Sequence, residues 1–256
     1  MCSSWGNTCG VEGSSMTRQD DERHLASVVG EALRRWLTKA RNVVMRPWRQ
    51  HRMQPDPTAL FSVQQDWNDE VTSILTVIGR ISLNAWSQAT DVAPVSRHAF
   101  IMSQLAQTEN FLVRIPDETY NLVFAEITDA VNEGASIDQV AERVDRVLSY
   151  AGSERWPGRA RTIAQTETTR SYGAGTLAAG MEQSRLSGRL LQKRWDTEHD
   201  TRVRNSHREV DGEVRDLTMP FYVDRVPLMY PGDPSGPPES VINCRCDLTI
   251  LNERGR

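Results

Sequence analysis

The chain has 256 residues, a net charge of −4, 38% apolar and 25% charged residues. That length suits one large domain or two ordinary ones with a packed core and a polar surface. The charge excludes a generic, globally basic nucleic-acid binder but not a local basic patch. No apolar run approaches the roughly 20 residues of a membrane-spanning helix.

The start, Met1-Cys2-Ser3-Ser4-Trp5-Gly6, has neither the basic nor the apolar region of a signal peptide, so synthesis and folding in the cytoplasm is the expectation. Residues 1–20 read as a disordered Gly/Ser-rich leader holding Cys2 and Cys9, with Met16 as a second candidate start. Cys244 and Cys246 are the remaining cysteines, so no disulfide framework organises the middle of the chain.

Residues 21–152 read as a helical region. Leu25, Val28, Val29, Ala32, Leu33, Trp36, Leu37, Ala40, Val43 and Val44 recur at helical steps, predicting an amphipathic helix that ends near Pro47. Its other face carries Arg34, Arg35, Lys39, Arg41 and Arg46, continued by Arg49 and Arg52, with no acidic residue between Glu31 and Asp56. Either this is a solvated face, or it contacts DNA phosphates or an acidic protein surface. Pro55-Asp56-Pro57 breaks the chain. A second helix runs from Trp67 to Trp86 and a third, weaker one from Phe100 to Leu112. A fourth starts at Pro116-Asp117 and stops at Gly134. Ser136 and Gln139 predict a capping box opening a fifth, through Val140, Val144, Val147 and Leu148. The Trp and Phe positions read as core.

Gly152 to Gly158 reads as a joint. Beyond it, Ala164, Ser171, Gly173, Ala174, Gly175, Ala178, Ala179 and Gly180 predict a helix pressed against a neighbouring backbone. Glu167 and Arg170, one turn apart, suit an ion pair; Glu167 as a catalytic base is the alternative. After Gly188, alternation of Leu191, Lys193 and Trp195 predicts a strand, and short strands with long ordered loops should follow. The fold class is therefore α+β: a mainly helical N-terminal region, then a small α+β domain over 155–251, with a tail at 252–256.

The unusual residues concentrate between Trp195 and Cys246. If Asp200–His207 is helical, Asp200 and Arg204 form an ion pair with His207 beside it. Asp211-Gly212 suits a tight turn. The segment Cys244–Ile250 reads as a strand with both sulfurs on one face. A disulfide between the two cysteines would be strained, because such Cα atoms lie about 6.5–7 Å apart. Two readings stand. One is a metal site, a structural zinc held by Cys244, Cys246 and His207 with His199 or Asp200 as a fourth ligand. The other is two reduced cysteines packed as small apolar residues beside a hydrogen-bonded histidine. The loop from Pro227 to Pro238 holds five prolines and two glycines and reads as a rigid strap.

Trp195…Asp200-x-Arg202-x-Arg204-x-x-His207…Asp211-Gly212…Pro220-Phe221…Tyr230-Pro231-Gly232-Asp233-Pro234…Asn243-Cys244-Arg245-Cys246 resembles the phage Mu F-like family of head morphogenesis, or minor head, proteins. Ala160-Arg161-Thr162-Ile163-Ala164-Gln165-Thr166-Glu167 is similar to that family's upstream segment. The combination is specific where either piece alone is not. The resemblance covers residues 155–251 and implies a non-enzymatic tailed-phage structural protein. Such a protein sits at the portal vertex inside the capsid and acts in head assembly and DNA packaging or ejection. The implied partners are the portal protein, the major capsid or scaffolding protein, and genomic DNA, with no membrane. Asp200, Arg202, Arg204, His207, Cys244, Arg245 and Cys246 are the residues that match the family, and most of them are expected to stabilise the small domain. With only Asp247 to Arg256 following Cys246, the appended toxin domain that some family members carry is not expected. Other readings kept open are a metal-dependent hydrolase or nuclease, with Asp200 or Glu167 as base, and a DNA-binding virion protein contacting DNA through Arg34, Arg35, Lys39 and Arg41.

Overall fold

The structure, a computed structural model, describes residues 16–91, 94, 97–151 and 154–251. Most of the expected leader, with Cys2 and Cys9, and the tail at 252–256 lie outside the described residues, as do positions 152–153 of the expected joint.

Helix α1 (Arg18–Val44) begins within the stretch read as a disordered leader, because Thr17 and Asp20 form a capping box that satisfies two otherwise orphaned N–H groups. Leu25, Val29, Leu33, Trp36, Leu37, Ala40 and Val44 form its buried stripe. The helix ends close to Pro47, as expected, with Met45 as its C-cap. Pro47 opens a short helix α2 (Arg46–His51), where a missing N–H costs nothing. Asp56 caps a 3₁₀ turn (Pro57–Val63) by accepting from Thr58 N at 2.9 Å. Helix α3 (Gln64–Ala89) follows. The indoles of Trp36 and Trp67 lie 5.6 Å apart. Trp36 Nε1 donates to Val63 O at 3.0 Å and Trp67 Nε1 to Leu112 O at 2.7 Å, so two large apolar bodies are buried with their polar ends satisfied.

Helix α4 (Arg97–Leu112) leads into α5 (Ile115–Asn132). Gly134, at φ 74°, terminates α5, and Ala135 N reaches back to Ala130 O at 2.9 Å. Helix α6 (Ile137–Leu148) opens on the expected box: Gln139 N donates to Ser136 Oγ and Ser136 N to Gln139 Oε1.

Helix α7 (Arg155–Ser187) is the longest element described. It starts inside the expected joint, with Trp156 buried in the helical core. Its small residues allow close approach: a Cβ on Gly175 would lie 2.9 Å from Ala85 Cβ and from Ser82 O of α3, and one on Gly180 would lie 2.8 Å from Ile250. Trp156, Ala160 and Ala164 belong to the helical core, whereas Leu177 belongs to a second core around Trp195. One helix thus serves both regions.

The second core lies under two small sheets. Strand β1 (Gln192–Asp196) sits between β2 (Val214–Asp216) and β5 (Asp247–Leu251), antiparallel to both. Strands β3 (Phe221–Val223) and β4 (Val226–Leu228) form a two-stranded ribbon. Asp224 and Arg225 between them both take positive φ, 50° and 66°, as a two-residue hairpin turn with right-handed strand twist requires. Two short helices also occur: α8 (Asn205–Glu209) overlaps the end of the segment weighed as helical, Asp200–His207, and α9 (Pro238–Val241) falls where strands and loops were expected. Pro227 lies within β4, an edge strand that tolerates a missing donor, and Pro238 opens α9. The strap is therefore shorter than expected. Asp233 organises it: its carboxylate accepts from Met229 N at 2.7 Å and from Ser235 N at 2.9 Å.

Candidate metal centre

Helix α8 is a single turn and buries only His207. The ring lies edge-on to Trp195 of the central strand, with centroids 5.5 Å apart. Trp195 in turn meets Phe221 at 5.4 Å. His207 is therefore held by the apolar core and not by a polar partner on its own helix.

Cys244 and Cys246 reach the ring from the other end of the motif. They precede β5 rather than lie in it, yet both are buried and Arg245 between them is half-buried, as extended backbone dictates. Both are free thiols. His207 Nδ1 lies 3.3 Å from Cys246 Sγ and 3.7 Å from Cys244 Sγ. His207 Nε2 is buried without a hydrogen-bond partner. The Cys244 thiol is drawn well below its ordinary value by its hydrogen bond with Cys246 and then by His207, against burial. Cys246, sharing that bond, is pushed up by it and by burial.

The segment carrying the thiols is pinned from two helices. Asn243 takes φ 56°; its N–H donates to Thr166 Oγ1 and its carbonyl accepts from Gln165 Nε2, both at 3.0 Å. Thr169 Oγ1 donates to Cys244 O at 2.5 Å. Arg18 of α1 donates to Cys246 O at 3.3 Å and to Thr169 Oγ1 at 2.7 Å, and pairs with Asp247. Arg18 and Thr169 carried no signal in the sequence, Arg18 and Cys246 being 228 positions apart, whereas Thr166 lies in the upstream segment that resembles the family.

Residues Asp200–Val203 are turns, not helix. The expected Asp200–Arg204 pair is absent because Asp200 accepts from Arg202 N at 2.9 Å, closing its own turn. Its carboxylate instead takes a two-point bond from Arg245, 2.7 Å at each oxygen. That guanidinium, opposed by partial desolvation, holds the Asp200 carboxyl at about 2. Arg204 donates to Ile242 O. Neither proposed fourth ligand joins the cluster: Asp200 is committed to Arg245, and His199 is exposed beside Asp211 at 3.2 Å. Asp211-Gly212 does form the expected turn, with Glu213 N donating to Val210 O at 3.1 Å.

Glu167 is buried and paired with Arg170 at 3.0 Å, as an ion pair and not as a free base. Three cations of the basic face of α1 are matched by acids from other helices. Arg35 meets Glu70 at 2.9 and 2.6 Å, Arg41 meets Asp145 at 2.6 Å twice, and Lys39 pairs with Asp66. Arg34 lies over the Tyr150 ring at 5.8 Å.

The matched residues of a known family span both ends of this constellation. The family model described as Phage Mu protein F like protein matches residues 121–249. The chain belongs to that family. A curated relative, minor head protein GP7 of Bacillus phage SPP1, is 28% identical over 139 residues, covering 52% of this chain and 41% of the relative. The chain thus spans less than half the length of that relative. No solved structure matches. The residues that meet here, Gln165 and Thr166 on one side and Asn243 on the other, lie within the matched stretch.

Proposed function

We propose that this Mu F-like protein is a minor head protein of a tailed phage. In this reading it associates with the portal inside the prohead and acts in head assembly and in DNA packaging or ejection. The observation that carries the reading is the family match over 121–249, supported by the relative's name as a minor head protein. The role is structural. Among the described residues no carboxylate joins His207, Cys244 and Cys246, and Glu167 is occupied by Arg170 and Thr108. A hydrolase would need a base placed beside an open metal position.

The surface favours protein partners, such as portal, capsid or scaffolding protein, over DNA. Four of the seven cations of the basic face that begins on α1, Arg35, Lys39, Arg41 and Arg52, are matched by carboxylates, which leaves fewer charges to displace counterions from DNA. By contrast Phe61 and Phe124 are 58% and 52% exposed and stack with Tyr120 at 5.5 and 6.0 Å. Exposed aromatic clusters of this kind mark protein contacts. No helix among the described residues is long and apolar enough to cross a membrane. The test is the protein content of purified proheads and virions, with portal co-purification from infected cells. Presence in a few copies with the portal is expected; absence from both particles overturns the reading.

A further inference from the structure

The three buried side chains at the junction of α8 and β5 have the spacing of a coordination sphere. In a tetrahedral zinc site the metal lies about 2.3 Å from sulfur and about 2.0–2.1 Å from nitrogen, which sets nitrogen and sulfur about 3.6 Å apart. The two nitrogen–sulfur distances, 3.3 and 3.7 Å, straddle that value. All three ligand atoms lie within 4.8 Å of one another. The cysteines are reduced, and two residues apart they are poorly placed to close a disulfide.

A second observation comes from the ring itself. His207 is 2% exposed and Nε2 has no partner. A buried, half-satisfied imidazole is a cost to the fold. An apolar residue would pack against Trp195 without it. Ligation through Nδ1 leaves Nε2 without a partner but gives the buried ring a metal bond that outweighs this cost, which packing beside reduced thiols does not. The surroundings suit thiolates: Arg18 lies on the Cys246 carbonyl. A small cavity of about 10 Å³, lined by Val203, Arg204, Asn243 and Arg245, touches His207 and Cys246. That is about the space of one water molecule, enough for a fourth ligand that the protein does not itself provide.

We propose that His207 Nδ1, Cys244 Sγ and Cys246 Sγ bind one divalent, thiolate-preferring ion of the zinc class. The ion would tie α8 to the segment entering β5. Two thiolates and one neutral imidazole balance its charge, and the two thiol protons are released on binding. The site is structural: arginines, not a base, border the remaining position. This proposal is independent of where the protein sits in the phage head.

The experiment uses the full chain with Cys2→Ser and Cys9→Ser, so that the other two thiols cannot contribute. After incubation with zinc in reducing buffer and gel filtration, metal analysis should find about one zinc per chain. Cobalt in its place should show the strong visible bands of a tetrahedral ion and a sulfur-to-cobalt charge-transfer band. Both should vanish in Cys244→Ser/Cys246→Ser. His207→Gln should weaken binding at least about tenfold, since even partners of a ligating histidine are worth about 10–100-fold. A chain that retains no zinc, or as much zinc after Cys244→Ser/Cys246→Ser, overturns the proposal. If the double variant fails to fold, the cobalt spectrum of the parent decides: weak octahedral bands without charge transfer overturn it.

Discussion

Removing the Glu167 carboxylate tests whether the α7 ion pair holds the helical region to the strap. Glu167 and Arg170 side chains are 7% and 6% exposed. Both Glu167 oxygens lie 3.0 Å from Arg170 Nη1, and one also accepts from buried Thr108 of α4 at 2.6 Å. Burial pushes the Glu167 carboxyl upward, while Arg170 and Thr108 pull it back. Glu167→Ala strands a guanidinium inside the protein, which costs about 3–5 kcal/mol. Arg170 keeps a carbonyl contact with Gly232 at 3.4 Å and the Phe111 ring at 5.5 Å, which places the loss nearer the lower end. For a chain of this size the melting temperature should fall by about 6–20 °C. Glu167→Ala/Arg170→Met removes both charges and should lose less than the two single changes summed, with a coupling of about 0.5–3 kcal/mol. The control is Glu118→Ala. Its partner Arg159 and Glu118 itself are 40% and 48% exposed, so the loss should stay within about 1 kcal/mol. Urea unfolding followed by tryptophan fluorescence reads all four proteins. A Glu167→Ala loss no larger than that of Glu118→Ala would refute the reasoning.

Lys193 has no exposed surface, donates to Met229 O at 2.8 Å, and is held at about 8 by burial, with Asp233 opposing. Its folded value lies below its unfolded one, so the cost of burying the charge, about 3 kcal/mol at about 1.4 kcal/mol per pH unit, is complete below pH 8. That cost is relieved as pH rises toward 10.5. The stability of Lys193→Met relative to the parent should therefore decline across that window in chemical denaturation; a constant difference would count against a charged, buried lysine. Gly175→Val should cost about 1–3 kcal/mol by overpacking α7 on Ala85 and Ser82, whereas Gly158→Ala, whose nearest neighbour would be 4.0 Å away, should be tolerated; equal melting temperatures would contradict the close approach. Phe61→Ser/Phe124→Ser should reduce incorporation into proheads several-fold with little change in melting temperature; unchanged incorporation would remove the aromatic cluster from the partner surface.

What was legible in the sequence was local. The Ser136–Gln139 box and the Gly134 stop lie within a few residues of the groups they satisfy, and helical periodicity placed Trp36 and Trp67 in the core. Charge matching was not local. The α1 face looks unopposed along the sequence, yet Glu70, Asp66 and Asp145 arrive from α3 and α6. The hairpin at Asp224-Arg225 was missed because neither residue is the glycine or asparagine that marks positive φ. The thiol–imidazole cluster was reached from the chemistry of its residue types, since nothing in the spacing ties position 207 to 244.

The two halves of the motif are partners of one another in space. Asp200 bonds Arg245, Arg204 bonds the Ile242 carbonyl, and His207 meets Cys244 and Cys246. These side chains of the first half thus have their partners in the second. The upstream helix completes the set through Gln165 and Thr166 on Asn243, and through Thr169 on Cys244. A chain with only Asp-x-Arg-x-Arg-x-x-His would leave an aspartate, an arginine and a buried histidine without counterparts, each at the cost of an unmade bond. The three separated segments are therefore one structural unit, a clasp that fastens the end of β5 onto α7 and α8. All three segments lie within the stretch that the family model matches, 121–249.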